Sequence, residues 1–199
     1  MREPAFSAEC QEPDGPIIRH AYFAPLSTDR LKVYWEKLSR FPTLFNRYIQ
    51  DFDDFVSTFL STEGGQITAN GLVWEVDDVG LLFLTDIYPL FQATGHFTFW
   101  DQRFRGREPL VREALRYGFE HYGFRRIAAE VPLYSPATLS AVERVGFVKE
   151  GRLREYVYYQ GKWFDVNLYS VLAKEILQNG IHEAEDQGEA AEVTSNATG

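Results

Sequence analysis

Between Phe97 and Pro109 the chain reads Phe97-Thr98-Phe99-Trp100-Asp101-Gln102-Arg103-Phe104-Arg105-Gly106-Arg107-Glu108-Pro109. A strand-like apolar run passes into a glycine-containing turn bearing Arg103, Arg105 and Arg107, and Pro109 suits the first position of a helix. Backbone N–H groups at such a turn, backed by the positive end of a helix dipole, form a seat for a pyrophosphate. A solvated charged turn is the plainer reading of the same residues. Candidate general bases lie on or beside the preceding strand-like segments: Glu75, Asp77 and His96. Of these, histidine is the one that titrates near neutrality in an ordinary setting. An exposed acid, or a strand histidine satisfied by its neighbours, would have the same sequence signature.

Other chemistries lack their residues. There is no Gly-x-x-x-x-Gly-Lys phosphate loop, no His-Glu-x-x-His pair and no Gly-x-Ser-x-Gly elbow. The four histidines, His20, His96, His121 and His182, have no metal-ligand spacing, so no metal is expected. The single cysteine, Cys10, excludes an intramolecular disulfide and points to a reducing, cytoplasmic setting. A formal net charge of -9 argues against nucleic acid and anionic membranes as partners. No apolar stretch approaches the ~20 residues of a membrane span.

The distribution of charge says more than its sum. From Tyr48 to Gln102 there is no Lys or Arg against nine acids, whereas Arg103 to Arg126 holds seven arginines. One segment favours cations and the next favours anions, as expected of an enzyme joining a cationic acceptor to a polyanionic donor. Two solvated faces would show the same reversal.

These residues need a scaffold. With 199 residues, 45% of them hydrophobic, the chain supports one domain with a real core. Residues 1–16 read as an N-terminal arm, 17–177 as the domain, and 178–199, with five acids and no Lys or Arg, as a disordered tail. A strand is expected over 17–23, then a helix capped by Thr28 or Asp29 that Pro42 ends, and a second helix over 51–60. Segments 66–76, 79–87 and 93–100 read as an antiparallel meander. Helix 110–122, strand 127–131, a helix starting at Ser135-Pro136 and strands 147–159 and 163–172 follow. The class is α+β, a mixed, mostly antiparallel sheet of six to seven strands flanked by about four helices.

Arg125-Arg126-Ile127, the helix start Ser135-Pro136-Ala137-Thr138, and the run Val142-Glu143-Arg144-Val145-Gly146-Phe147-Val148-Lys149-Glu150-Gly151-Arg152-Leu153-Arg154 resemble the C-terminal half of the GNAT superfamily of N-acetyltransferases. Gly-Phe-x-x-Glu-Gly-x-Leu-Arg, followed by Gly161 and Asp165, is similar to the ribosomal-protein and spermidine acetyltransferase branch. The resemblance covers residues 17–172 and is strong after Trp100.

The resemblance implies the GNAT fold and an acetyl-CoA-dependent transfer of acetyl to a primary amine, such as a protein N-terminus, a polyamine or a small cationic amine. Acetyl-CoA would lie where strands 93–100 and 127–131 splay apart. Its pyrophosphate would meet the turn formed by Arg103, Phe104, Arg105, Gly106, Arg107 and Glu108, with Ser135 nearby. A backbone N–H near Phe99 or Trp100 would hold the acetyl carbonyl. Independently of the resemblance, Glu75, Asp77 or His96 is the candidate base, and Tyr134, just ahead of Ser135, could return a proton to the thiolate, a packing or loop tyrosine being the plainer reading. The sequence departs from the family pattern at Glu108, where a small residue is usual, at Pro109, which removes an N–H, at Ser135, often Asn, and at Val142, often Tyr. A homo-oligomer or an assembly partner is compatible with these residues. So is the alternative reading, a GNAT-fold structural or binding subunit of a cellular or viral assembly that transfers no acetyl. Removal of residues 178–199 is expected to leave the melting temperature nearly unchanged in a thermal scan, because the segment offers little apolar surface to bury.

Overall fold

A computed structural model describes residues 4–41, 49, 51–63, 66–101, 104 and 107–178. Among them the order is β1 (Phe6–Glu12), β2 (Gly15–Phe23), α1 (Thr28–Leu38), α2 (Phe52–Phe59), β3 (Leu60–Glu63), β4 (Gln66–Ala69), β5 (Leu72–Val76), β6 (Gly80–Tyr88), β7 (Gln92–Phe99), α3 (Glu108–Tyr122), β8 (Arg126–Pro132), α4 (Pro136–Val145), β9 (Val148–Tyr159), β10 (Lys162–Leu172) and α5 (Ala173–Leu177). Eight strands form one sheet in the order β1-β2-β5-β6-β7-β8-β10-β9, and β3 and β4 make a separate hairpin. Every pairing in the large sheet is antiparallel except β7 with β8.

The expected α+β class holds, with more strands than the sequence pattern counted. Phe6–Glu12, read as part of an N-terminal arm, is an edge strand paired with β2 from Phe6↔Ala21 to Glu12↔Gly15. Its alternation is weak because Ser7, Glu9 and Gln11 are interleaved with small or modest apolar residues, of which Cys10 alone is fully buried. Segment 66–76, expected as one strand, breaks at Asn70-Gly71. Gly71 lies where a Cβ would come within 2.6 Å of the Leu84 carbonyl oxygen, so the chain turns there into the main sheet. The cap of α1 is Ser27, whose hydroxyl accepts from Arg30 N–H, instead of Thr28 or Asp29. The short α5 had too few residues to show a helical period. The 178–199 tail, Gln178 aside, lies outside the described residues.

Strand alternation divides the side chains between two cores. On one face Val73, Leu81 and Phe83 pack with Leu31, Tyr34 and Leu38 of α1 and Phe55 and Phe59 of α2. On the other, Trp74, Leu82, Ala93, Ile127, Ala129 and Tyr169 pack with α3, α4 and α5. Both layers are needed, since a sheet this wide has two apolar faces to cover. Gly80 sits where β6 and β7 approach closely: a Cβ there would lie 2.3 Å from Phe99 Cδ1 and 2.6 Å from Thr98 O. Gly80→Ala is therefore expected to destabilise the fold by roughly 1–3 kcal/mol, read as a lower midpoint in urea with unchanged slope.

Candidate active site

The parallel ladder between β7 and β8 covers only Gln92↔Arg126, Ala93↔Ile127 and Thr94↔Ala128, although both strands run on beyond it. Past Thr94 they splay. Trp100 N–H donates to the Val79 carbonyl at 3.0 Å, which fixes the alternation along β7. Thr94, His96, Thr98 and Trp100 direct their peptide groups at β6, so Gly95, Phe97 and Phe99 direct theirs at the gap beside β8. The Trp100 amide expected to hold an acyl oxygen is thus committed to β6. The Trp100 indole N–H donates to Asp78 O at 2.6 Å and its ring lies under the Lys37 ammonium, 4.4 Å away. Phe99, by contrast, keeps the expected direction, and Phe97 joins it.

A cavity of about 410 Å³ occupies the splay. On the α1–α2 side it is lined by Leu38, Phe55 and Phe59, and at the start of α4 by Ser135 and Thr138. His96, Thr98, Glu130 and Tyr134 line it between. Two of the expected catalytic residues, His96 and Tyr134, therefore share one cavity with the expected cofactor residue Ser135. The His96 ring stacks on Phe83, centroids 4.6 Å apart and 10° from parallel, and its Nε2 lies 2.9 Å from Thr85 Oγ1. Burial pushes the imidazole down to about 4 against the opposing pull of Asp86. Burial, and then Tyr159, raise the Tyr134 phenol, which packs against Tyr159 at 4.4 Å and Phe164 at 5.3 Å. Ser135 caps α4 without a side-chain bond to its backbone; its Oγ lies 2.6 Å from Thr138 Oγ1.

Glu130 is the site residue that sequence reasoning missed. It stands on β8 across the splay from His96, and burial, then Asp86, raise its carboxyl above the usual range. An acid alternating with apolar residues on a short strand looks like an ordinary solvent-facing position. Only the splay turns that face into a cavity wall.

Arg103, Arg105 and Gly106 of the turn lie outside the described residues. Phe104 is fully buried and meets Phe99 edge-on at 5.0 Å, so its ring belongs to the core and does not line the site. Arg107 folds back on its own turn: Nε donates to Phe104 O at 2.7 Å, Nη2 to Asp101 O at 3.3 Å, and the guanidinium lies 4.8 Å from the Phe99 centroid. Glu108 opens α3, a favourable place for an acid. Burial acts to raise its carboxyl, but its own backbone N–H and the Arg144 guanidinium, bonded at 2.8 and 2.7 Å, hold it below the usual range. Arg144 of α4 thereby ties the two helices together and neutralises the carboxylate nearest the turn.

No family model matches the chain. The uncharacterized N-acetyltransferase YoaA of Bacillus subtilis (strain 168) is 36% identical over 63 residues, 32% of this chain and 36% of the relative. The chain spans about a third of the length of the curated relatives it matches. The structure of a spermidine N-acetyltransferase from Vibrio cholerae in complex with CoA and spermine superposes with a TM-score of 0.62 at 20% identity, covering 79% of this chain and 98% of that one. Mycobacterium smegmatis RimJ in complex with CoA-disulfide gives 0.60 at 16% identity, covering 88% and 91%. The chain has the GNAT N-acetyltransferase fold.

Within the GNAT fold the remaining expected base, Glu75, stands apart from the cavity. It faces α1, where its carboxylate accepts from Tyr34 Oη at 3.1 Å and Arg30 Nη1 at 3.2 Å. Asp77 accepts from the His20 backbone N–H, and Asp78 pairs with Lys37. Two acids of the stretch without local bases, Glu75 and Asp78, are thus partnered by cations of α1. Among the described residues no helix is long and apolar enough to cross a membrane, and no group of His, Cys, Asp or Glu is arranged to hold a metal ion. The depressed His96 makes a pH prediction. An unfolded histidine near 6.5 binds protons that the folded one, near 4, does not. Its stabilising effect is therefore complete above pH 6.5 and is lost as the pH falls from 6.5 through 4. Urea unfolding of the native chain should show that decline, and His96→Gln should lessen it.

Proposed function

We propose that the chain is an acetyl-CoA-dependent N-acetyltransferase acting on a primary amine in a cytoplasmic setting. The reading is carried by one observation: the cavity at the β7–β8 splay joins the α1–α2 side of the sheet to the start of α4, with strand amides directed into it. The residues present suit the co-substrate. A pantetheine arm has backbone groups of Gly95, Phe97 and Phe99 to bond along the gap. A thioester carbonyl has the Phe97 or Phe99 N–H to stabilise the negative charge that develops on its oxygen. The Arg107-held turn and the start of α3 offer the pyrophosphate a positive end, with Glu108 kept away by Arg144.

On this reading the acceptor amine enters from the α1–α2 side and loses its proton to His96 or Glu130. The rise strengthens the Glu130 carboxylate as a base, while the lowered His96 imidazole is uncharged at neutral pH and has a lone pair to receive the proton in passing. Tyr134, beside Ser135, is positioned to donate to the departing sulfur. Glu75 serves the scaffold through Arg30 and Tyr34. The acceptor class is narrowed by Asp86 and Glu130, the acids whose fields reach the cavity, to amines that carry positive charge.

Calorimetry with acetyl-CoA and a CoA-release assay over polyamines, peptides with free N-termini and neutral amines test this reading. Turnover is expected with cationic amines, weakening as salt rises, and Glu130→Gln is expected to lower kcat/KM at least tenfold. CoA binding without turnover on any amine would favour the non-catalytic alternative. A separate outcome concerns α3. Arg144→Ala should weaken CoA binding several-fold by leaving Glu108 unpaired beside the phosphates, and Glu108→Gln in the same chain should restore it, both by calorimetry.

A further inference from the structure

In a regular strand, consecutive side chains point to opposite faces and do not meet. Thr85 and Asp86 are consecutive on β6, yet Thr85 Oγ1 donates to Asp86 Oδ2 at 3.2 Å. The cause is a bulge. The β6–β7 register jumps between Thr85↔Thr94 and Tyr88↔Gln92, and Asp86 takes a positive φ of 47°. Such an irregularity re-aims a side chain. Here it turns the Asp86 carboxylate back onto the Thr85 hydroxyl, whose oxygen also lies 2.9 Å from His96 Nε2.

With both contacts made as hydrogen bonds, the hydrogen count along this chain has one solution. An ionised carboxylate has no proton to give, so the hydroxyl spends its single proton on Asp86. Towards His96 the same oxygen can only accept, so Nε2 must carry the N–H. A neutral imidazole has one N–H, which leaves Nδ1 with its lone pair. Among the described residues His96 makes its hydrogen bond through Nε2, and the ring plane is pinned by stacking on Phe83.

We propose that Thr85 and Asp86 are positioning residues that lock His96 in the Nε2–H tautomer, so that Nδ1 is the proton acceptor of the cavity. Its use rests on the transferase reading above; the tautomer itself does not. The proton lost by the attacking amine nitrogen moves to Nδ1, and its bonding pair stays on nitrogen. The resulting imidazolium keeps its Nε2–H on Thr85, within the field of Asp86, until it returns the proton to solvent. Among the described residues the titratable groups around the cavity that holds the ring are Asp86 on β6, Glu130 on β8, Tyr134 before α4 and Tyr156 on β9; α1 and α2 contribute apolar residues and Thr58 to the wall. Burial holds the imidazole near 4, so across neutral pH the ring is uncharged and the open question is which nitrogen bears its proton.

Two-bond proton–nitrogen correlation spectra of the full chain with nitrogen-15 histidine answer that question directly, with His96 assigned by its loss in His96→Gln. At pH 7 the expected pattern is a protonated Nε2 and an unprotonated Nδ1. Thr85→Val should release the lock and give shifts averaged between tautomers, and Thr85→Ser, which retains the hydroxyl, should restore the native pattern. In the CoA-release assay Thr85→Val should lower kcat roughly tenfold with the amine KM little changed, again rescued by Thr85→Ser. A protonated Nδ1 in the native chain, averaged shifts there, or a native pattern in folded Thr85→Val would each overturn the proposal. Absence of turnover in the native chain with the expected spectrum would overturn the transferase reading and leave the tautomer lock standing.

Discussion

A parallel ladder that stops after Thr94 and Ala128 leaves the following peptide groups of β7 aimed at a strand that has moved away. Backbone N–H and C=O groups that leave a ladder need other partners, and on the proposed reading an extended ligand supplies them along this gap. The two helical layers answer the same geometry. Neither α1–α2 nor α4 closes over the splay, and the cavity follows the opening between them. His96, Glu130 and Tyr134 come together because each sits on or just after a strand bordering that opening.

The polar network around the site is built by distant partners. Arg30 and Lys37 of α1 meet Glu75 and Asp78, while Arg144 of α4 meets Glu108. Partly exposed pairs of this kind contribute little stability each. Their effect is on where charge remains uncompensated. With Glu75 and Asp78 paired on the α1 flank, the acids seen to act on the cavity among the described residues are Asp86 and Glu130. With Glu108 neutralised, the start of α3 keeps its positive end.

Aromatic packing gives this arrangement its stiffness. Phe55, Phe59 and Phe83 meet edge-on at 5.2 Å in each contact, and Phe83 in turn carries the His96 ring. On the opposite face Phe104 meets Phe99, and Arg107 covers both rings. A side chain that the sequence offered as a cofactor contact thus acts from within the core, holding the end of β7 and the beginning of the turn against each other.

Most of the secondary structure was legible in the sequence. Helical spacing of Phe52, Phe55, Val56 and Phe59, proline at the start of α3 and α4, and glycine at their ends mark the elements through local physics alone. The motif run after Trp100 was equally local and carried the fold. The sequence offered Tyr134 and Ser135 as candidates at the helix start within that run, and His96 separately, from its strand and its chemistry; the cavity brings the three side by side. What the tertiary structure decided were matters of pairing between distant segments: that Phe6–Glu12 is a strand, that Glu75 belongs to Arg30 and Tyr34, that Trp100 gives its amide to Val79, and that Glu130 faces a cavity. The same holds for Phe104, apolar in sequence and assignable to core or site only once β7 and α3 are docked. Propensity and periodicity act over a few residues, whereas ion pairs, ladder register and the end of a parallel ladder depend on which strands lie side by side.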